Sequence, residues 1–234
     1  MGQILYIVIP VLYVLLLSSP RESAAATNSV EIFPPGDKPY GLSYGEHIEN
    51  FWKWLISLPK DKNPGQDATG QNCANGQSGT NSSVFYLSGG GGGKFERTCK
   101  VPAGKGLLIP VMIVEVSDKE VPNASVDDLH RLVKKDQDSV TSMYLKIGNQ
   151  EYNREELSTY RTHTGPFEVT FPKNAIFGAT EGISKAVADG HYIITKPLSK
   201  GTYTIEFKSS LICPAPDCLE PNYAQDIKYT IIAE

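Results

Sequence analysis

The chain has 234 residues, of which 40% are hydrophobic and 21% charged, the balance of an ordinary globular protein. Its net charge is −4, and lysine and arginine are scattered along it. That leaves no basic stripe to follow a phosphate backbone, so nucleic acid is not an expected partner.

Ile4 to Leu17 is an unbroken apolar run, followed by a polar stretch and then Ala24-Ala25-Ala26. This order reads as a signal peptide over residues 1–26, cut before Thr27. The run is shorter than the roughly 20 residues a spanning helix needs, and Pro10 would kink one. The expected mature chain is a single domain over residues 27–234, secreted or held at the cell envelope, with no transmembrane segment after cleavage. Four cysteines in an exported chain read as two disulfides. Three connectivities exist; Cys73–Cys99 with Cys213–Cys218 is preferred because each pair brackets one loop region. Neither spacing is the C-x-x-C of a zinc site. Asn81 and Asn123 each open an N-glycosylation sequon, which suits exported surface loops.

Ser43 and Glu46 have capping-box spacing and predict a helix start. Ile48, Phe51, Trp52, Leu55 and Ile56 then form one apolar stripe, which Pro59 ends. Trp52, Trp54 and Tyr86 are the candidate ligand-binding aromatics; the competing role for the two tryptophans is to anchor the helix on a sheet. Asp61 to Gly70 is dense in oxygen donors, and Asp61, Asn63 and Asp67 are candidate calcium ligands. The EF-hand pattern fails there, because its fifth position is Gly65 and its twelfth Asn72. No other cofactor is expected.

Gly89 to Gly93 with Lys94 lacks the first glycine and the closing hydroxyl of a phosphate loop, and reads as a hairpin tip. Strands are expected over Val84–Leu87, Phe95–Val101 and Leu107–Val116. Glu115, at the end of the third, is expected at an exposed strand end; buried, it would have a raised pKa and could serve as acid or base. Glu168 would be its partner only if folding brought the two together. A second helix is predicted from Val126 to about Gln137, capped by Ser125. The histidines, His47, His130, His163 and His191, show no i, i+4 ligand pair, and His130 is expected to be solvated. There is no Gly-x-Ser-x-Gly elbow; Ser78, between Gln77 and Gly79, reads as part of a tethered loop.

Phe167–Phe171, His191–Lys196, Thr202–Lys208 and Ile227–Ile232 read as further strands, with turns at Asp189-Gly190 and Lys200-Gly201. The expected fold is mainly β: an antiparallel β-sandwich, Ig-like or jelly-roll-like, with an N-terminal amphipathic helix and one further short helix.

Several of these segments carry a resemblance. Trp52-Lys53-Trp54, Asn63-Pro64, Asp67, Thr69-Gly70, Cys73 and Gln77-Ser78-Gly79 succeed one another. Arg97-Thr98-Cys99, Val101-Pro102-Ala103-Gly104-Lys105, Asp189-Gly190-His191-Tyr192 and Pro197-Leu198-Ser199-Lys200-Gly201 follow. The chain resembles a family of functionally uncharacterised secreted proteins of bacteria and archaea. It departs from that family in having Tyr86-Leu87-Ser88-Gly89 for Phe-Leu-Ala-Gly, and no histidine at Thr202 or Tyr203. The resemblance implies export and a β-rich fold, and implies no activity.

With no coherent catalytic constellation, the preferred function is a non-catalytic binding or structural module for an envelope protein or glycan. The rival is a secreted hydrolase or metal-dependent enzyme using Asp67, Glu115 or a histidine in one cleft; its mark would be a shifted carboxylate or a metal in a polar pocket.

Overall fold

The computed structural model describes residues 1–2, 29–77, 83–214 and 218–234. Apart from its first two residues, the expected signal peptide lies outside that set, as do Ser78 and the sequon asparagine Asn81.

Helix α1 spans Tyr44–Ile56. Ser43 caps it and Glu46 returns the bond to the Ser43 backbone, so both halves of the capping box form. The predicted stripe is the buried face, with Ile48, Phe51 and Ile56 fully inaccessible. Phe51 lies at the centre of an aromatic cluster, 5.2 Å from Trp52, 5.7 Å from Trp54, and 6.0 Å from both Tyr86 and Tyr192 by ring centroids. Edge-on contacts of this kind add to the burial of the rings and hold α1 in place.

Two sheets follow. The first contains β1 (Val84–Tyr86), β3 (Gly106–Ser117), β7 (Gly182–Ile194) and β6 (Arg161–Phe171), in that spatial order. The second contains β2 (Gly93–Val101), β9 (Asn222–Ala233), β8 (Gly201–Ile212), β4 (Val140–Ile147) and β5 (Gln150–Tyr152). Apolar residues of both sheets and of α1 belong to one continuous core. Both sheets are mixed rather than antiparallel: β1 pairs parallel with β3, and β2 parallel with β9. The cause is the glycine run. Gly89–Gly92 is not a hairpin tip; it carries the chain from β1 in one sheet to β2 in the other. Each of these strands therefore pairs with a strand that is not its antiparallel hairpin neighbour.

Asp189-Gly190 is likewise no turn. Both residues lie inside β7, paired with Val114 and Ile113 on one side and His163 and Thr162 on the other. A Cβ on Gly190 would stand 2.7 Å from the Met112 carbonyl oxygen and 2.8 Å from Ile113 Cα. The register shift between Pro110 and Met112 presses β3 against this point, so the glycine serves a bulge rather than a bend.

Helix α2 (Val126–Asp138) carries the predicted Ser125 cap and packs Leu129 and Val133 on Val116 and Val187, in a small satellite core. A third helix, α3 (Arg154–Ser158), was not anticipated; Asn153 caps it and Leu157 anchors it. Both expected disulfides form, Cys73–Cys99 and Cys213–Cys218. Among the described residues no helix is long and apolar enough to cross a membrane.

Candidate ligand cleft

The ends of the two sheets leave a cleft of about 350 Å³, within the range of small-molecule sites. Trp52 from α1, the glycines of the β1–β2 crossover, Met112 and Ile113 from β3, and Tyr223 from β9 supply walls. Phe177 stands at its margin with 53% of its surface exposed. The glycines are needed where they are: a Cβ on Gly90 would meet the Phe95 ring at 2.5 Å, and one on Gly89 the Gln225 amide oxygen at 2.9 Å.

Glu115 borders this cleft, and its position overturns the expectation of an exposed strand end. The residue retains 8% of its surface, and both carboxyl oxygens are buried with no hydrogen-bond partner. Neighbouring Ala188, Val187 and Val116 continue the strands past it, so β3 remains inside the protein to Ser117. Burial, and then the charge of Glu120, raise its pKa well above the carboxylate range. Glu120 also lines the cleft, and burial pushes its pKa to about 7 against the opposing hydrogen bond from the Ser117 hydroxyl, 2.5 Å from its Oε2. Asp136, the third carboxyl of the wall, accepts the backbone N–H groups of Leu219 and Glu220 at 3.2 and 3.1 Å. It thereby fastens α2 to the loop beside Cys218. Glu168 is exposed on β6 and is no part of this group.

The other expected site residues have structural positions. Trp52, Trp54 and Tyr86 are buried and form no surface platform. Trp54 Nε1 donates to the Asn75 carbonyl at 2.8 Å, and Trp52 Nε1 to the Tyr192 hydroxyl at 2.9 Å. Of the three, Trp52 also borders the cleft. The candidate calcium ligands tie their own loop together. Asn63 donates to the Leu55 carbonyl and accepts from Gly65 N–H, while Asp67 accepts from Thr69 and from the Asn72 backbone. Asp61 contributes its main-chain carbonyl to Asn72 and is otherwise exposed. Asn123 is exposed at a positive φ of 68°.

Folding does gather histidines. His163 lies on β6, and its ring is 4.5 Å from that of His130 by centroids. His163 Nδ1 is 3.7 Å from the buried carboxylate of Asp189, which Arg161 holds through two bonds of 2.9 and 2.7 Å. His130 is not fully solvated, since its Nδ1 is buried without a partner. Among the described residues the one group of three metal-type ligand atoms lying together is Asp136, Cys213 and Cys218, and the two sulfurs are joined to each other.

Sequence reasoning missed Glu120, Asp136, Arg97 and Asp189. Each is charged in an otherwise ordinary segment, and its burial follows from strands and loops that meet only in three dimensions. Comparison with family models, with curated proteins and with solved structures finds no match for this chain.

Proposed function

We propose that the protein is an exported, disulfide-stapled binding protein whose ligand is a small molecule held in the cleft between the sheets, with Glu115 as its polar anchor. The observation that carries this reading is Glu115, a residue of the cleft wall whose two carboxyl oxygens are buried and unpartnered. A buried polar group without a partner costs on the order of 1–3 kcal/mol, and donors on a bound ligand would remove that cost. Export rests on the apolar run before Ala24-Ala25-Ala26 and on the two disulfides, which suit an oxidising compartment. In such a compartment Asn123, exposed on its turn, is the glycosylation site open to modification among the described residues. An envelope glycan or protein would reach the cleft by presenting one small group to it. Amide-resolved NMR against a fragment library tests the reading: shifts concentrated at Gly89–Gly91, Trp52 and Tyr223 support it. A folded protein in which no fragment moves those resonances would overturn it.

One observation favours the rival hydrolase. Burial raises Glu115 well above the carboxylate range and Glu120 to about 7, the kind of shift that lets one of two neighbouring carboxyls donate a proton and the other accept one in carboxylate-dependent hydrolases. Hydrolysis of a chromogenic glycoside or ester that falls at least a hundredfold in both Glu115→Gln and Glu120→Gln would replace binding with catalysis.

A further inference from the structure

We infer that the cleft takes a primary ammonium carried on an apolar body, with the nitrogen seated at Glu115 and Glu120. This inference rests on the cleft being the binding site. The charge of the lining points to a cation: Glu115, Glu120, Asp136 and Glu220 contribute carboxyls, and among the described residues no lysine, arginine or histidine lines the cleft. Hydrogen bonding points to the kind of cation. Once ionised, the two oxygens of Glu115 need donors, and an alkylammonium brings three N–H groups, whereas a quaternary ammonium brings none. Asp136 is not the recipient, because two backbone N–H groups already occupy its oxygens. The remaining walls, from Trp52, Met112, Ile113, Phe177 and Tyr223, fit a hydrocarbon or ring, and the aromatic faces attract a positive charge.

Seating the ammonium would displace a proton. In the free protein burial holds protons on both carboxyls, and for Glu115 the charge of Glu120 adds to the effect. The titratable groups that share the cleft with the pair are Asp136 from α2 and Glu220 and Tyr223 from the β8–β9 connection and β9, and Tyr192 from β7 lies close enough to feel the Glu115 charge. All are acidic or neutral, so none supplies the missing positive charge. An incoming ammonium does, the carboxyl ionises, and its proton passes to the buffer. The amine itself stays protonated throughout the range. For one carboxyl titrating near 7, affinity rises about tenfold between pH 6 and pH 8.

Calorimetry on the full mature chain tests this with three probes of one shape: cyclohexylmethylamine, cyclohexylmethanol and the trimethylated amine. The expected result is that the primary amine binds at least tenfold more tightly than the other two. When titrated in two buffers of different ionisation enthalpy it should release close to one proton at pH 6 and about a tenth of one at pH 8. Glu120→Gln should abolish the pH dependence, and Glu115→Gln should weaken amine binding at least tenfold while melting normally, since a buried protonated carboxyl and an amide are similar in shape and charge. Equal binding of amine and alcohol, with cleft resonances shifting for both, overturns the cation and leaves the cleft standing. Amine binding unchanged in the Glu115→Gln/Glu120→Gln double variant places the amine elsewhere and overturns the inference. No binding of any probe, and no fragment moving the cleft resonances, overturns both readings. Should a variant fail to fold, the ratio of amine to alcohol affinity on the wild-type chain decides alone.

Discussion

The Arg97 guanidinium donates to the Tyr229 hydroxyl at 2.8 Å, directly beneath the crossover that forms one wall of the cleft. The same nitrogen donates to the carbonyls of Ser88 and Gly89 at 2.9 and 3.0 Å, and Nε donates to the Asp67 carbonyl at 2.7 Å. One planar fork thus joins the loop of Asp67, the glycine crossover and β9. The ring faces of Phe95 and Tyr229 flank it, with centroids 4.7 and 5.5 Å away.

Arg97→Lys should therefore be far from conservative. An ammonium cannot span Asp67 and Ser88 from one position, and the abandoned carbonyls remain buried. We expect a loss of about 2–3 kcal/mol in urea denaturation, with faster amide exchange at Gly89–Gly91 if the crossover loosens before the rest of the fold.

Glu120 makes the protein less stable as pH rises. Its folded pKa, about 7, lies above its unfolded value of about 4.5, so the native state binds more protons between those values. Stability is full below the unfolded pKa and is lost as pH rises through the folded one. The total is on the order of 3 kcal/mol. Glu120→Gln should remove this contribution, making the variant more stable than wild type at pH 8 and nearly equal at pH 4.5. Melting curves across that range provide the check.

His191 acts in the opposite sense. It is buried on β7, and desolvation, then the charge of Arg161, lower its pKa to about 4. The unfolded chain takes up a proton near 6.5 that the folded one refuses until about 4. Stability conferred by neutral His191 is thus present above 6.5 and is lost as pH falls through 4. His191→Gln should remove much of the acid limb, up to about 1.4 kcal/mol per pH unit within that window. Between about pH 4.5 and 6.5 the two slopes are opposite in sign and similar in size, so they largely offset each other in wild type and each is exposed by removing the other; variant profiles that parallel wild type across this window would contradict both assignments.

The long disulfide should matter more than the short one. Cys73–Cys99 closes a separation of 26 residues and Cys213–Cys218 one of 5. On the chain-entropy model, paired Cys→Ser substitutions cost about 3.5 and about 2 kcal/mol respectively. Loss of the short bridge should also disturb the cleft, because Leu219 and Glu220 follow Cys218 and bond to Asp136. The checks are denaturant midpoints for both variants and cleft resonances for the second.

Local patterns were legible wherever the controlling interactions are close in sequence. The Ser43/Glu46 and Ser125 caps and the apolar stripe of α1 follow from spacing, and the preferred one of three cysteine pairings, in which each bridge closes one loop, is the one that forms. The β-rich class was legible too, through strand-length runs of branched and aromatic residues. Tertiary structure alone decided the direction in which the strands pair. Gly89–Gly92 has the composition of a tip, and only the competition between sheets makes it a crossover. Gly190 resembles a turn until the bulge at Pro110 presses against it. It also decided where the charge lies. Glu115 ends an apolar run whether it meets solvent or protein, and Glu120, Asp136 and Arg97 are polar residues in polar segments. Burial is a property of what packs around a side chain, and here the surrounding atoms come from β3, α2, the β1–β2 crossover and β9, segments more than a hundred residues apart at their extremes.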